Sequence, residues 1–575
     1  MKRFFFLLFV TIPYLSVADT LLLQPFSVID SNVYQIPSQT ITFIDSAEIS
    51  RFKNSNITEL LKYTSPVFFK EYGNGALATP SFRGTAARHT KVFWNGLPLN
   101  SSMLGTLDFN LLPVLNYDKI SVKHGLVSGI SMSAGALGGI IDIRNQAKFQ
   151  PFFSAEIRQE AGSFDTYNSY FSVRKSNAKV FLSSAVTLKK SDNDFSYRNY
   201  TKPQNPWETQ QNARIMQTGG NQIFSVKLKN NAVLHTFVNA FYSNRQIPAA
   251  LTDTLTKARQ EDIAVRGGIQ YRKHFANSYF ESSVGVVADW LDYTDSVKNI
   301  FSENRSTALV SSGNYTRWFS SKAKMQTGWL VRYAEAFAST GYKELKQQAQ
   351  TGVFAGLEYY VTPKLLATSY LRQEMNDFRF FEPLPALGLV YRKNTRLNLR
   401  FNYARMFNFP TLNDLYWKPG GNPDLLPEKG YSVETGMHIT FLKIIQWNNT
   451  LYYGEIDNWI QWTPDATGTF TAQNIKSVEQ KGVESSLSIN YRNAFMQMKI
   501  QSIYAYTSTV NKSSYQGLSS IVGKQLIYVP QHSLRNVLLL NFNKIIIGVE
   551  HFFTDERYIT TDNSWYLPYY NLWNM

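Results

Sequence analysis

The chain has 575 residues, 44% of them apolar and 15% aromatic, yet its mean hydropathy is −0.25. That combination suits a β-barrel with a lipid-facing aromatic girdle and a polar lumen better than a soluble enzyme. The absence of cysteine excludes disulfides, thiolate metal sites and Cys nucleophiles together, and the net charge of +16 is scattered among Ser, Asn and Thr without a basic cluster, which argues against a nucleic-acid partner and for anionic lipid head groups or an acidic ligand.

Lys2 and Arg3 precede an apolar run from Phe4 to Val10, and Ser16, Val17 and Ala18 close it, so residues 1–18 read as a cleaved secretory signal peptide. Pro13 and Asp19 leave the run short of the roughly 20 apolar residues that an anchor needs. The mature chain then opens on a strand-prone stretch from Asp19 through Thr20, Leu21, Leu22, Leu23, Pro25 and Val28 to Ile29.

Residues 38–145 have a texture of their own. Asn56 with Glu59 resembles a capping box that opens a short helix through Leu60, Leu61 and Tyr63, closed by Pro66. Ser81-Phe-Arg-Gly-Thr85 follows, then a hairpin pattern at Lys91-Val-Phe-Trp-Asn-Gly-Leu-Pro-Leu-Asn100, in which Asn95 and Gly96 suit a turn with positive φ. The segment ends on glycines 129, 135, 138 and 139 and the β run Ile140-Ile-Asp-Ile143, followed by Arg144. The glycines match neither GxGxxG nor GxxxxGK[ST], which argues against a phosphate loop.

From residue 146 to 575 strand-like runs alternate with polar turns. Phe224, Val226 and Leu228 alternate with Ser225, Lys227 and Lys229 before Asn230-Asn231, and Leu487, Ile489 and Tyr491 alternate with Ser488, Asn490 and Arg492 before a turn near Asn493. So long a run of hairpins without helices favours a closed transmembrane barrel, since an open edge in lipid leaves backbone groups unpaired. Between Arg405 and Glu434, Pro410, Pro419, Pro423 and Pro427 together with Gly420 and Gly421 require a long loop.

That 405–434 segment is similar to the FxxPTxxELYxxxGNPxLxPE signature in the barrel of TonB-dependent outer-membrane receptors. The elements of 38–145 resemble the plug of the same family, in the order helix, FRGT, V-x-x-DG-x-P-L-N hairpin and terminal GAxGGxIxI. Asn95 stands where the family has Asp, and Ser131-Met-Ser133 where it often has LeuTyrGly. Arg245-Gln-Ile-Pro248, Asn474 through Gly482-Val-Glu484, and Gly523 through Pro530 resemble further family elements, and the vitamin B12 receptor group is the nearest, with catecholate-siderophore receptors next.

The resemblance implies an all-β transmembrane barrel of 22 strands at 146–575, filled by a small α/β plug at 38–145 and preceded by a TonB-box-like segment at 19–37. It implies a monomer in the outer membrane that is not an enzyme, has no nucleic-acid partner, and imports cobalamin or another corrinoid with energy from a periplasmic TonB-type protein. The box would lie within Asp19–Val28 and pair by β-augmentation. A ferric-siderophore receptor is the alternative within the family, and a non-transporting structural or adhesive barrel is the alternative outside it. Arg83 and Arg144 of the plug are expected to meet Glu428 and Glu484 of the barrel as a latch. Family members continue for about two strands after an element like Leu567-Pro-Tyr-Tyr570 and end on an aromatic residue, whereas this chain stops at Asn574-Met575. The expectation is a truncated barrel of fewer than 22 strands, with a gap or strained pairing beside Leu572.

Metal chemistry is thin. The seven histidines, at 89, 124, 235, 274, 438, 532 and 551, contain no metal-ligand spacing, and none falls in residues 411–421, where haem receptors of the family carry one. No cofactor is expected, and Asp192 with Asp194 is only a weak candidate for Ca²⁺ in an early loop.

Overall fold

The structure, a computed structural model, describes residues 37–115, 117–125, 135–251, 255–464, 468–514, 521–542 and 544–575, with the backbone alone at 475–476. The signal peptide expected at 1–18 and the 19–29 stretch, including Asp19, Thr20, Leu21, Leu22, Leu23, Pro25 and Val28, lie outside the described residues.

The helix Ile57–Thr64 starts where the sequence places it, with the Asn56 side chain accepting from the Glu59 amide at 3.0 Å. The box is only half made, because the Glu59 carboxylate accepts from Lys62 at 3.3 Å, one helical turn on. Ile57, Leu60 and Leu61 are fully buried against Val92, Trp94, Ile141 and Ile143 of the plug sheet. In that sheet the strands run Ile41–Phe43, Lys119–His124, Gly139–Arg144, Thr90–Trp94 and Leu97–Pro98. Gly139–Arg144 lies at its centre, parallel to Thr90–Trp94 and antiparallel to Lys119–His124. A Cβ on Gly139 would stand 2.7 Å from the Lys123 carbonyl oxygen, so this position needs glycine. Asn95 and Gly96 take φ of 48° and 89°, as the two-residue turn requires.

From Phe152 onward, apart from the separate short hairpins of Ser196–Arg198 with Trp207–Thr209 and Arg557–Tyr558 with Tyr566–Leu567, the long strands, of up to 23 residues, form one antiparallel sheet in barrel order. Their alternation is inverted relative to a soluble protein: Phe224 is 41% exposed while Ser225 beside it is 0% exposed. Outward apolar positions and inward polar ones are what a barrel in lipid demands, because the hydrocarbon takes the place of a core. The Asn230-Asn231 turn has φ of 58° and 57°, and Ile489 pairs with Ile500 across the later hairpin, so both hairpins of the sequence reading are present. Connections at one end are short, such as 228–231, 275–277 and 363–364; those at the other are long, such as 192–214, 409–427, 512–531 and 555–569. Short periplasmic turns and longer outer loops give the barrel its orientation.

Two sequence expectations are corrected or refined here. Among the described residues the barrel has twenty strands of five or more residues plus the two-residue Arg379–Phe380, fewer than 22 as expected, but its strand order is closed where a gap was expected. The order is that of a closed ring, but at the seam Tyr570–Asn574 offers five residues to the eleven of Phe152–Gly162. These two strands are neighbours in the closed order, and each pairs along its length with its other neighbour, Glu550–Thr554 for the one and Thr166–Ser176 for the other. Phe153, Ile157, Leu572 and Trp573 are exposed there.

Candidate functional site

The 81–89 segment brings plug charge to the barrel wall. Arg83 has φ of 49° and Gly84 of 74°, a tight turn that turns the guanidinium outward from the plug. Its Nη1 donates to Glu434 Oε1 at 2.7 Å, while Nε and Nη2 donate to the two oxygens of Glu484 at 3.0 Å each. The guanidinium also lies over the Tyr452 ring, 4.2 Å from its centroid. His124 Nδ1 stands 3.1 Å from Glu484 Oε2, and Thr509 Oγ1 donates to the Arg83 carbonyl at 3.1 Å. Arg83 therefore meets Glu484, as expected, but not Glu428.

Glu428 belongs to a second knot. Its fully buried carboxylate accepts from Arg88 Nη2, His89 Nε2 and Asn408 Nδ2, each at 2.7 Å, and from the Ile460 amide at 2.9 Å. Burial pushes the His89 imidazole below its ordinary pKa, against the opposing pull of Glu428. Arg144 meets neither Glu428 nor Glu484. It pairs with Asp142 two residues back at 3.1 Å and with Glu281 of the barrel at 3.5 Å, because the central plug strand ends beside a different part of the wall. Arg88, His89, Glu434 and Glu281 were missed by sequence reasoning. Glu434 and Glu281 look like ordinary polar positions of an alternating strand.

Above these knots the loop at 409–427 folds down onto the plug. Thr411 and Asp414 form a reciprocal capping box for the turn of helix Leu412–Tyr416. The Leu412 and Asn413 amides donate to the Ser102 and Met103 carbonyls at 3.3 and 3.0 Å, so the loop and the plug apex share backbone hydrogen bonds. Trp462 Nε1 donates to Asp414 Oδ1 at 2.8 Å, and Gly420 and Gly421 allow the chain to fold closely over Trp462, Phe470 and Trp417. The result is an open cavity of about 460 Å³ between Arg88, Leu104 and Thr106 of the plug and Asn413, Trp417 and Trp462 of the barrel loops. Its wall exposes more apolar than polar surface around a few polar groups, the usual character of a site for a bulky ligand.

Asp192 does not present a cation site: its carboxylate is engaged by Arg214 at 2.9 Å. Among the described residues no three His, Asp or Glu side chains gather at metal-binding distance. The chain contains no free or bridged cysteine.

Comparison with known proteins places this architecture. The profile "TonB-dependent Receptor Plug Domain" matches residues 35–140, and "TonB dependent receptor-like, beta-barrel" matches residues 150–575. The vitamin B12 transporter BtuB of Photobacterium profundum is 24% identical over 478 residues, 80% of this chain and 75% of the relative. The BtuB of Vibrio cholerae is 21% identical over 606 aligned positions, covering 95% of this chain and 94% of the relative. Among solved structures, the ferric enterobactin receptor PfeA of Pseudomonas aeruginosa superposes with a TM-score of 0.73 at 14% identity, over 93% of this chain and 90% of that one. The FrpB iron transporter of Neisseria meningitidis gives 0.72 at 13%, over 90% and 87%. With a plug seated in a barrel whose apolar side faces outward, and with both halves matched along their length, this chain belongs to the TonB-dependent receptors of the outer membrane.

Proposed function

We propose that the chain imports a corrinoid, captured in the cavity above the plug and passed inward when a periplasmic TonB-type partner pulls on the plug. The observation that carries this reading is the double role of one plug turn. Arg88 lines the floor of the cavity and at the same time donates to the buried Glu428, so a ligand pressing on this floor acts on a plug-to-barrel contact. The Trp417 and Trp462 rings offer broad apolar faces to a large planar ligand. Support for the corrinoid class comes from the relatives named vitamin B12 transporters, which align with most of the chain.

In this reading residues 1–18 are removed on export, and the partner adds a strand to residues within Asp19–Val28, since the outer membrane holds no ATP of its own. The Arg83–Glu484–Glu434 and Arg88–His89–Glu428 knots are latches that hold the plug at rest. Removing one partner of such a buried pair costs roughly 3–5 kcal/mol, so each knot strongly favours the seated plug until a pull or a bound ligand shifts the balance.

A ferric-chelate ligand is the second reading, favoured by the cations near the cavity floor, Arg88 and Lys91. Equilibrium binding of cyanocobalamin and of a ferric catecholate to the purified full chain separates the two. Tight, saturable binding of cyanocobalamin is the expected result. Binding of the ferric chelate alone would replace the corrinoid reading, and binding of neither would remove both.

A further inference from the structure

Next to the outer cavity, and sharing Thr411 with it, a second one lies between the plug strand Thr90–Trp94 and the lumenal faces of the barrel strands Ala323–Ala338, Lys346–Thr362, Leu365–Asn376 and Leu397–Asn408. Its volume is about 60 Å³, several times the roughly 10–15 Å³ that a single water needs. Lys91, Arg332 and Arg372 all line it, and among the described residues Glu374 is the one carboxylate in its wall.

The cations are poorly compensated. Arg372, 1% exposed, bonds Glu374 through Nε, but its Nη2 has no partner. Arg332 donates from Nη2 to the Asn100 carbonyl at 2.7 Å and to Ser102 Oγ at 2.8 Å, while its Nε is buried without a partner. The Lys91 ammonium has, among the described residues, only the Asn408 side-chain oxygen, at 3.5 Å. Among the described residues neither Lys91 nor Arg332 has a carboxylate at ion-pair distance; burial, reinforced by Arg332 and opposed by the more distant Glu428, pushes the Lys91 ammonium down to about 7. Buried charge without a counter-ion is strongly unfavourable. The wall is also shaped to leave room: a Cβ on Gly135 would come within 2.8 Å of Lys91 Cε.

We propose that this second cavity binds one oxyanion group, a phosphate, sulfate or carboxylate, between Lys91, Arg332 and Arg372. Two guanidinium groups and an ammonium supply donors in the number and charge that an oxyanion takes, and the unpartnered Arg332 Nε and Arg372 Nη2 are the donors left for it. The oxyanion comes either from a free ion that neutralises the resting plug interface or from an anionic arm of the imported ligand on its way past the plug. The second source rests on the import reading above; the first does not.

The test is calorimetric titration of the purified full chain in detergent with sodium sulfate, against sodium chloride at equal ionic strength. The expected result is one saturable site for sulfate, weakened about tenfold or more in Arg332→Gln and in Lys91→Gln, as loss of a charge-assisted bond implies. Arg332→Lys retains the charge and should keep part of the affinity, and heat-modifiable migration on gels checks that each variant is folded. Absence of a saturable sulfate site in a wild-type chain that also releases no phosphate on denaturation, or wild-type affinity in both neutral variants, overturns the proposal. Phosphate released on denaturing protein purified without added phosphate assigns the site to a resident ion. Loss of ligand uptake with surface binding intact in Arg332→Gln cells, without such release, assigns it to the ligand. Failure of ligand import leaves the sulfate titration readable, so the two readings fail separately.

Discussion

Replacing Arg83 with Ala removes one cation from between two buried carboxylates. The Arg83 side chain is 3% exposed, Glu434 4% and Glu484 10%, so the carboxylates it leaves are out of reach of bulk water. Three hydrogen bonds of 2.7–3.0 Å go with it, along with the stacking on Tyr452. Breaking a buried pair in this way costs about 3–5 kcal/mol, most of it the burden of the unpaired charge. Glu484→Ala should cost a similar amount, and the double variant should cost well under the sum, with a coupling of about 2–3 kcal/mol, because Glu434 alone then remains unpaired. Arg83→Ala with Glu428→Ala should instead be additive within about 0.5 kcal/mol, since Glu428 answers to Arg88 and His89. The chain has no cysteine, so Ala78→Cys, at a fully buried plug position, creates a single thiol whose labelling during a urea titration reports opening of the plug. Coupling below 0.5 kcal/mol for Arg83 with Glu484, or equal coupling for Arg83 with Glu428, would refute the assignment of the two knots.

Leu22→Pro should abolish uptake while surface binding of ligand persists, because proline removes a donor from the strand proposed to pair with the partner; unchanged uptake in a transport assay would place the box elsewhere. Trp417→Ala should weaken ligand binding by about 1–2 kcal/mol, roughly five- to thirtyfold, measured on the purified chain, and an unchanged affinity would remove the outer cavity from the ligand path. Glu428→Gln should sensitise cells to large antibiotics normally excluded by the outer membrane, as the Arg88 charge loses its counter-ion, and resistance equal to wild type would show that this knot does not hold the plug. Gly139→Ala should lower plug stability by about 1–3 kcal/mol in the same urea titration, since the added methyl meets a backbone carbonyl at 2.7 Å that cannot step aside.

Local chemistry made much of this protein legible before any tertiary contact was known. The Asn95-Gly96 turn, the start of the helix at Asn56 and the hairpins at Asn230-Asn231 and Asn493 depend on residues adjacent in the chain, and all formed where those residues stand. Period-two alternation of Phe224 with Ser225 likewise says that one face is apolar, although only closure into a barrel decided that this face is the outer one. The prolines between 410 and 427 announced a loop, but the helix turn Leu412–Tyr416 within it and its bonds to Ser102 and Met103 came from the plug apex beneath. Charge partners were the least legible. Arg83 reaches Glu484 across 401 positions and Glu434 across 351, and which inward carboxylate it meets depends on strand register and on how the plug is turned within the barrel. Arg144 failed to meet Glu428 or Glu484 for the same reason: an arginine's charge is encoded in the sequence, but the wall it faces is decided by the packing of the plug against the barrel.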